Sequence, residues 1–250
     1  MLPSPVTSPI LGNPSGEDKF NVLGIFPSGF TLICITILLG PVIKGATVAF
    51  DPDVEFWLGE LPKLLVAPPL LVLIAHFIHW WAKGPSKFAV VLALCGSGGM
   101  LMLCGNEILV KALALGGGFQ STDCSYSVPK YTLERSWQAA QKFRASCGKS
   151  AVRIQDCDGY AEMLKKNPSW EYLQSLEQRY SCGGWCEAEK PLWAVREAED
   201  SCSKAVAYLM SNRVRRTAFQ EALFGLGLVV ISSTVLIWVG PALREKGVNW

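Results

Sequence analysis

The chain has 250 residues, half of them hydrophobic, and carries 23 basic and 21 acidic side chains for a net charge of +2. A charge so small, with no basic stripe interleaved with aromatics, excludes nucleic acid as a partner. The charged residues crowd into positions 116 to 217, so the remainder is far more apolar than the average, which is the signature of a membrane protein.

Residues 1–28 read as a flexible cytoplasmic tail. Met1 to Asn21 is rich in Pro, Ser and Gly, contains Glu17, Asp18 and Lys19, and lacks the apolar stretch of a signal peptide. Insertion is then expected to rely on the first span. Positions 29–115 are expected to hold spans 1 to 3 with short loops. The first runs from Gly29 to Phe50, with Lys44 near its far end and Gly40-Pro41 as a kink. About 20 residues at about 1.5 Å rise each cross a core of roughly 30 Å.

Asp51 to Trp57 is an acidic turn, and the second span covers Leu61 to Trp81, where Pro68-Pro69 is expected to break the helical ladder. The six-residue turn from Ala82 to Lys87 carries two lysines and no acid, as expected on a cytoplasmic side. The third span runs from Phe88 to Leu115, with Gly96-Ser97-Gly98-Gly99 as a smooth surface for helix approach and Gly116-Gly117-Gly118 as a hinge. Positions 218–250 hold the fourth span, with its core from Leu223 to Val239, and a short tail.

Between spans 3 and 4, positions 116–217 form a large extracellular or lumenal loop domain containing Cys124, Cys147, Cys157, Cys182, Cys186 and Cys202. Six cysteines in a polar segment read as three disulfides in an oxidising compartment, with 15 connectivities open. The loop pattern is helical. Leu133, Trp137, Ala140 and Phe143 share a face, Asn167-Pro168 opens a second helix through Trp170 and Leu176, and a third is expected from Pro191 toward Tyr208. The expected fold is therefore all-α: a four-transmembrane-helix bundle with a disulfide-stapled helical loop between spans 3 and 4.

Residues with chemical potential are few. His76 and His79, three apart on the second span, could offer two nitrogens to a metal or haem, although an interhelical polar contact accounts for them more simply. Glu107 and Lys111, four apart, are expected to pair. Cys182 and Cys186 lack the two-residue spacing of a thioredoxin-like pair, and the histidines lie far from the loop serines, so neither redox nor triad chemistry can be assembled. Trp185, Leu192 and Trp193, if exposed, are candidates for partner contact.

Four spans, a small first loop, a tiny basic turn and a large cysteine-rich loop together resemble the tetraspanin family. The residues that carry the likeness are Glu177 to Cys186, above all Cys182, Gly183, Gly184 and Trp185, with Cys202 ahead of the last span. The resemblance covers nearly all of the chain after the tail and implies that Cys182 pairs with Cys202. It further implies a non-catalytic scaffold that contacts other integral membrane proteins laterally in the lipid bilayer. No cofactor or catalytic residue is expected, and lipid or sterol could bind in or around such a bundle. The alternatives are a dedicated subunit of a large photosynthetic or respiratory complex and, from the enzyme class, a haem or metal redox protein using the two histidines.

Overall fold

The computed structural model describes residues 22–81, 87–121, 123–148 and 151–245. The described residues are helical, with no strand among them. Helix α1 (Val22–Ala49) is followed by α2 (Pro52–Leu58), a 3-10 turn (Leu61–Leu65), α3 (Ala67–Trp81) and α4 (Lys87–Gln120). The polar segment contributes α5 (Val128–Ser146), a 3-10 turn (Ile154–Asp156), α6 (Tyr160–Lys166) and α7 (Ser169–Tyr180). The chain closes with α8 (Cys202–Tyr208), α9 (Arg215–Thr234) and α10 (Gly240–Glu245), joined by π turns at Leu209–Val214 and Val235–Val239.

Two stretches among the described residues are long and apolar enough to cross a membrane, Val91–Gln120 and Cys202–Ala242. Counting Pro52–Leu58 with Leu61–Ala75, which meet at a bend of 106°, adds a third. The second expected span does not run straight from Leu61. Its first residues form the 3-10 turn, and the 15 residues of α3 alone rise about 22 Å, short of a roughly 30 Å core. Pro68 and Pro69 fall in the first turn of α3, where a missing N–H costs no ladder bond, so they start the helix rather than break it. α1 begins at Val22, seven residues before the expected start of the first span.

The two long stretches pack antiparallel along matched seven-residue repeats. On α4 the buried positions are Val91, Leu94, Gly98, Leu101, Gly105, Ile108 and Ala112; on the partner they are Val214, Ala218, Glu221, Gly225, Leu228, Ser232 and Val235. This alternation of three and four residues is the 3.5-residue period that keeps a seam facing its neighbour. The seam is close because it is small. A Cβ on Gly98 would lie 2.7 Å from the Gly225 carbonyl oxygen, and one on Gly105 would lie 2.9 Å from that of Ala218. Gly96, Gly99 and Gly227 have open space instead, so only part of each glycine cluster makes the contact. Ser97, buried beside Gly98, donates to the Pro68 carbonyl at 2.9 Å and ties α4 to α3.

Gly116-Gly117-Gly118 is not a hinge. α4 runs through it, because Gly116 fits under Ser211 in the first π turn and Gly118 lies under the Tyr126 ring. The helix ends where Lys130, fully buried on α5, donates to the carbonyl oxygens of Gly118, Phe119 and Ser121. A lysine thus satisfies carbonyls that the last turn leaves without intrahelical partners. Burial lowers the affinity of its amine for the proton, with Asp123 and Glu134 opposing.

Candidate functional site

The loop domain folds around α5 and α7. The expected α5 stripe is present, with Leu133, Trp137 and Ala140 buried and Phe143 packed against the core. The Trp170 indole donates to the Ser136 carbonyl at 3.1 Å, and the Ser136 and Ser169 hydroxyls meet at 2.5 Å. Asn167 closes the first turn of α7 through its carbonyl, which accepts from Trp170 at 3.0 Å, while its side-chain amide turns back to Met163. The expected third helix forms only from Cys202. The residues before it are irregular, because their N–H groups bond across the domain rather than along the chain.

Glu177 organises that irregular segment. It is buried, and its Oε2 accepts from the backbone N–H groups of Leu192 and Trp193 at 2.9 and 2.8 Å, while the Trp137 indole N–H is 3.4 Å from Oε1. Burial pushes this carboxyl up to about 7, against backbone and indole N–H donors that pull it down. The N–H donors around it favour the ionised form and burial favours the neutral one, and burial is the larger effect. Trp193 in turn donates to the Tyr160 hydroxyl at 2.8 Å, and Ile154 N–H donates to the Leu192 carbonyl at 2.9 Å. Trp193 and Leu192 are thus loop core.

The turn Cys182-Gly183-Gly184-Trp185 joins this domain to the long C-terminal helix. Ser181 ends α7 in the left-handed conformation, with φ of 50°, and Gly184 follows with φ of 73°. A Cβ on either glycine would strike a backbone carbonyl, that of Glu189 at Gly183 and that of Glu187 at Gly184. The turn lies against the start of α8. Gly183 N–H donates to the Asp200 carbonyl at 3.1 Å, while the carbonyls of Gly184 and Trp185 accept from Cys202 and Ser203 N–H at 2.9 and 3.0 Å. Two of the orphan donors at the start of α8 are therefore capped by the glycine turn.

Three disulfides close the domain. Cys124 joins Cys186, Cys147 joins Cys157, and Cys182 joins Cys202. The last is the pairing that the resemblance implied, and it welds the glycine turn to the first residue of α8. The carboxylate of Glu134 lies beside the Cys124–Cys186 bond and accepts from Cys186 N–H at 3.1 Å. With both sulphurs in that bond, the three residues form a clamped disulfide rather than a ligand set.

The domain docks on the first loop through a buried ion pair and an aromatic cluster. Asp53 on α2 has no exposed surface. It accepts from the Arg179 guanidinium and the Tyr180 hydroxyl, both at 2.7 Å. Burial raises the proton affinity of Asp53, and the Tyr180 and Arg179 donors oppose it. Alongside, Trp57 donates to the Tyr172 hydroxyl at 2.7 Å and lies 4.5 Å from Phe119 and 6.1 Å from Trp185 between ring centroids. Trp185 therefore fills the joint between first loop, α4 and loop domain, with its indole N–H unpartnered among the described residues.

This corrects the expectation that Trp185, Leu192 and Trp193 meet partners. They are 0%, 9% and 1% exposed, since in a small domain the largest apolar side chains are needed for the core. No family model, curated protein or solved structure matches this chain.

The other expected residues fall as follows. Glu107 and Lys111 pair at 3.3 Å on the outer face of α4. The backbones of His76 and His79 lie on α3, and their side chains lie outside the described residues, as do Lys19, Lys83 and Lys246. An open groove of 830 Å³ runs beside α8, lined by Tyr180, Lys204, Tyr208 and Arg213 among others. Its basic groups are already engaged, Lys204 with Asp200 at 3.0 Å and Arg213 with Asp51 at 2.9 Å. The groups that composition and spacing alone did not single out are Asp53, Lys130, Glu177 and Glu221. Glu221 carries the clearest signal, an acid between alanines and leucines at the entrance to an apolar run.

Proposed function

We propose that the chain is a tetraspanin-like membrane scaffold: a four-span bundle that carries a rigid extracellular or lumenal loop domain and holds other integral membrane proteins by lateral contact, without catalysis. The observation that carries this reading is the seat of the glycine turn, where the Cys182–Cys202 bond and paired backbone hydrogen bonds join the loop domain to the helix that runs on into the bilayer. A domain fixed in this way transmits the orientation of the spans to whatever it touches. The three disulfides support a loop on the oxidising side of the membrane. With α1 and the Leu61–Trp81 stretch as further spans, Val22 and Glu245 lie opposite the loop.

Among the exposed apolar side chains of the loop, Tyr126, Val128 and Tyr131 cluster in sequence at the junction of α4 and α5, while Val152, Val195 and Tyr208 lie elsewhere in the segment. The three at the junction replace the buried tryptophans as contact residues, in keeping with the preference of tyrosine for interfaces. Gentle detergent extraction through a C-terminal tag, followed by mass spectrometry and an absorbance spectrum, tests the reading. Several membrane-protein partners at varying ratio support a scaffold. A single partner set at constant stoichiometry identifies a dedicated subunit, and a haem band or bound metal lost in His76→Ala overturns both.

A further inference from the structure

Where α1 meets α9, one ionic contact is made and a second is left open. At the membrane end, Arg213 in the π turn reaches Asp51 at 2.9 Å and donates to the Thr47 carbonyl at 3.3 Å. Two turns deeper, Glu221 occupies a buried position of the helix seam at 1% exposure, with neither carboxylate oxygen partnered among the described residues. Its Oε1 lies 3.3 Å from where a Cβ of Gly45 would stand, so the carboxyl rests on the α1 backbone because position 45 has no side chain. Lys44 precedes Gly45 on α1 and is the nearest cation to it in the chain.

The spacing matches on both helices. Asp51, two residues past α1, and Lys44 are seven positions apart, and Arg213 and Glu221 are eight apart, so at about 1.5 Å per residue the two intervals are comparable, about 10 to 12 Å. In an antiparallel pair, the register set by Arg213 and Asp51, and by Gly45 under Glu221, therefore puts Lys44 at the level of Glu221 along the helix axis. The neighbouring cations are otherwise engaged or exposed elsewhere. Lys111 is with Glu107, Lys63 with Glu55 and Glu60, and Arg215 and Arg216 are exposed in the first turn of α9, more than a helical turn before Glu221. Lys44 itself is exposed on the outside of α1, where a surrounding bilayer offers no water to solvate an ammonium.

We propose that Lys44 and Glu221 close into an intramembrane ion pair, a second rung beneath Arg213–Asp51 that locks the register of α1 against α9 once lipid surrounds the bundle. The four-carbon stem of lysine supplies the reach without movement of either backbone. Both groups are costly alone in an apolar medium and relieve each other as a pair. A polar residue at a buried seam position is a known means of fixing helix register, and here the partner helix supplies its complement.

The test is infrared difference spectroscopy of the full chain in lipid nanodiscs, native against Glu221→Gln, which isolates this one carboxyl. An ionised carboxylate band that gives way to a protonated carboxyl band in a Lys44→Met background is the expected result. A protonated band with Lys44 in place, or an ionised band indifferent to Lys44→Met, overturns the pair. Should Glu221→Gln fail to fold, native against Lys44→Met reads the same band. Thermal unfolding supplies the coupling. Each single variant is expected to lose at least about 5 °C in Tm, with Lys44→Met/Glu221→Gln losing no more than the worse of the two. Additive losses would sink the proposal.

Discussion

Glu177 shows how a single carboxyl can hold an irregular segment in place. The segment before Cys202 has no helix of its own, and its N–H groups at 192 and 193 end on one buried oxygen. The carboxyl is pushed from its ordinary 4.5 up to about 7 by burial, so the folded domain favours the neutral acid. The stabilisation is then fully present below pH 4.5 and is lost as pH rises through 7. Thermal unfolding of the purified protein should show a higher Tm at pH 5 than at pH 8, reflecting a difference in stability on the order of a few kcal/mol. Glu177→Gln keeps an oxygen that can accept both N–H groups, and should flatten that dependence. An unchanged pH profile in Glu177→Gln would remove Glu177 as its source. Asp53 is shifted in the same direction by burial, but there Arg179 and Tyr180 oppose the shift from 2.7 Å. Breaking such a pair leaves an uncompensated charge and typically costs about 3 kcal/mol or more.

The seam between α4 and α9 depends on glycines, and not on all of them. Gly225 lies against the Gly98 carbonyl and the Met102 amide, both backbone atoms that cannot swing away, whereas Gly227 faces open space. Gly225→Leu should therefore destabilise by about 3 kcal/mol through overpacking, read as a lower Tm and loss of a monodisperse peak in detergent. Gly227→Leu, two residues on, should leave both unchanged or slightly improved, since leucine is the better helix former. Equal effects at the two positions would mean that the helices do not meet on this seam. The seven-residue repeat is present in the sequence from Leu94 through Leu101 to Ile108, running through the small-residue clusters. Which glycine of Gly96, Gly98 and Gly99 faces the partner follows only from the phase of that repeat.

At the scale of the molecule, three crosslinks of different span hold one domain to one bundle. Cys124–Cys186 closes 62 residues, Cys182–Cys202 closes 20 and Cys147–Cys157 closes 10. Loop-closure entropy ranks their contributions at about 4, 3 and 3 kcal/mol. Paired Cys→Ser variants should lose Tm in that order, with Cys124/Cys186 losing most. Cys182→Ser/Cys202→Ser should in addition loosen the joint to α8, seen as faster amide exchange at Cys202 and Ser203, whose N–H groups are capped by the glycine turn. Protection of those two amides equal to the native value would mean that the hydrogen bonds hold the seat without the disulfide.

The apolar runs, the polar cysteine-rich segment, the α5 stripe and the start of α7 were all legible in the chain, because helix periodicity and membrane hydropathy are local properties that each segment carries in its own residues. The pairing of six cysteines was open by spacing alone and narrowed for Cys182 and Cys202 by resemblance. Tertiary structure decided what has no local signature. It put Trp185, Leu192 and Trp193 inside, since exposure depends on what folds over a side chain. It placed Asp53 under Arg179, residues 126 positions apart, and it brought Glu221 to the one place on α1 where a missing Cβ leaves room for a carboxyl. Distance along the chain hides such contacts, and only packing reveals them.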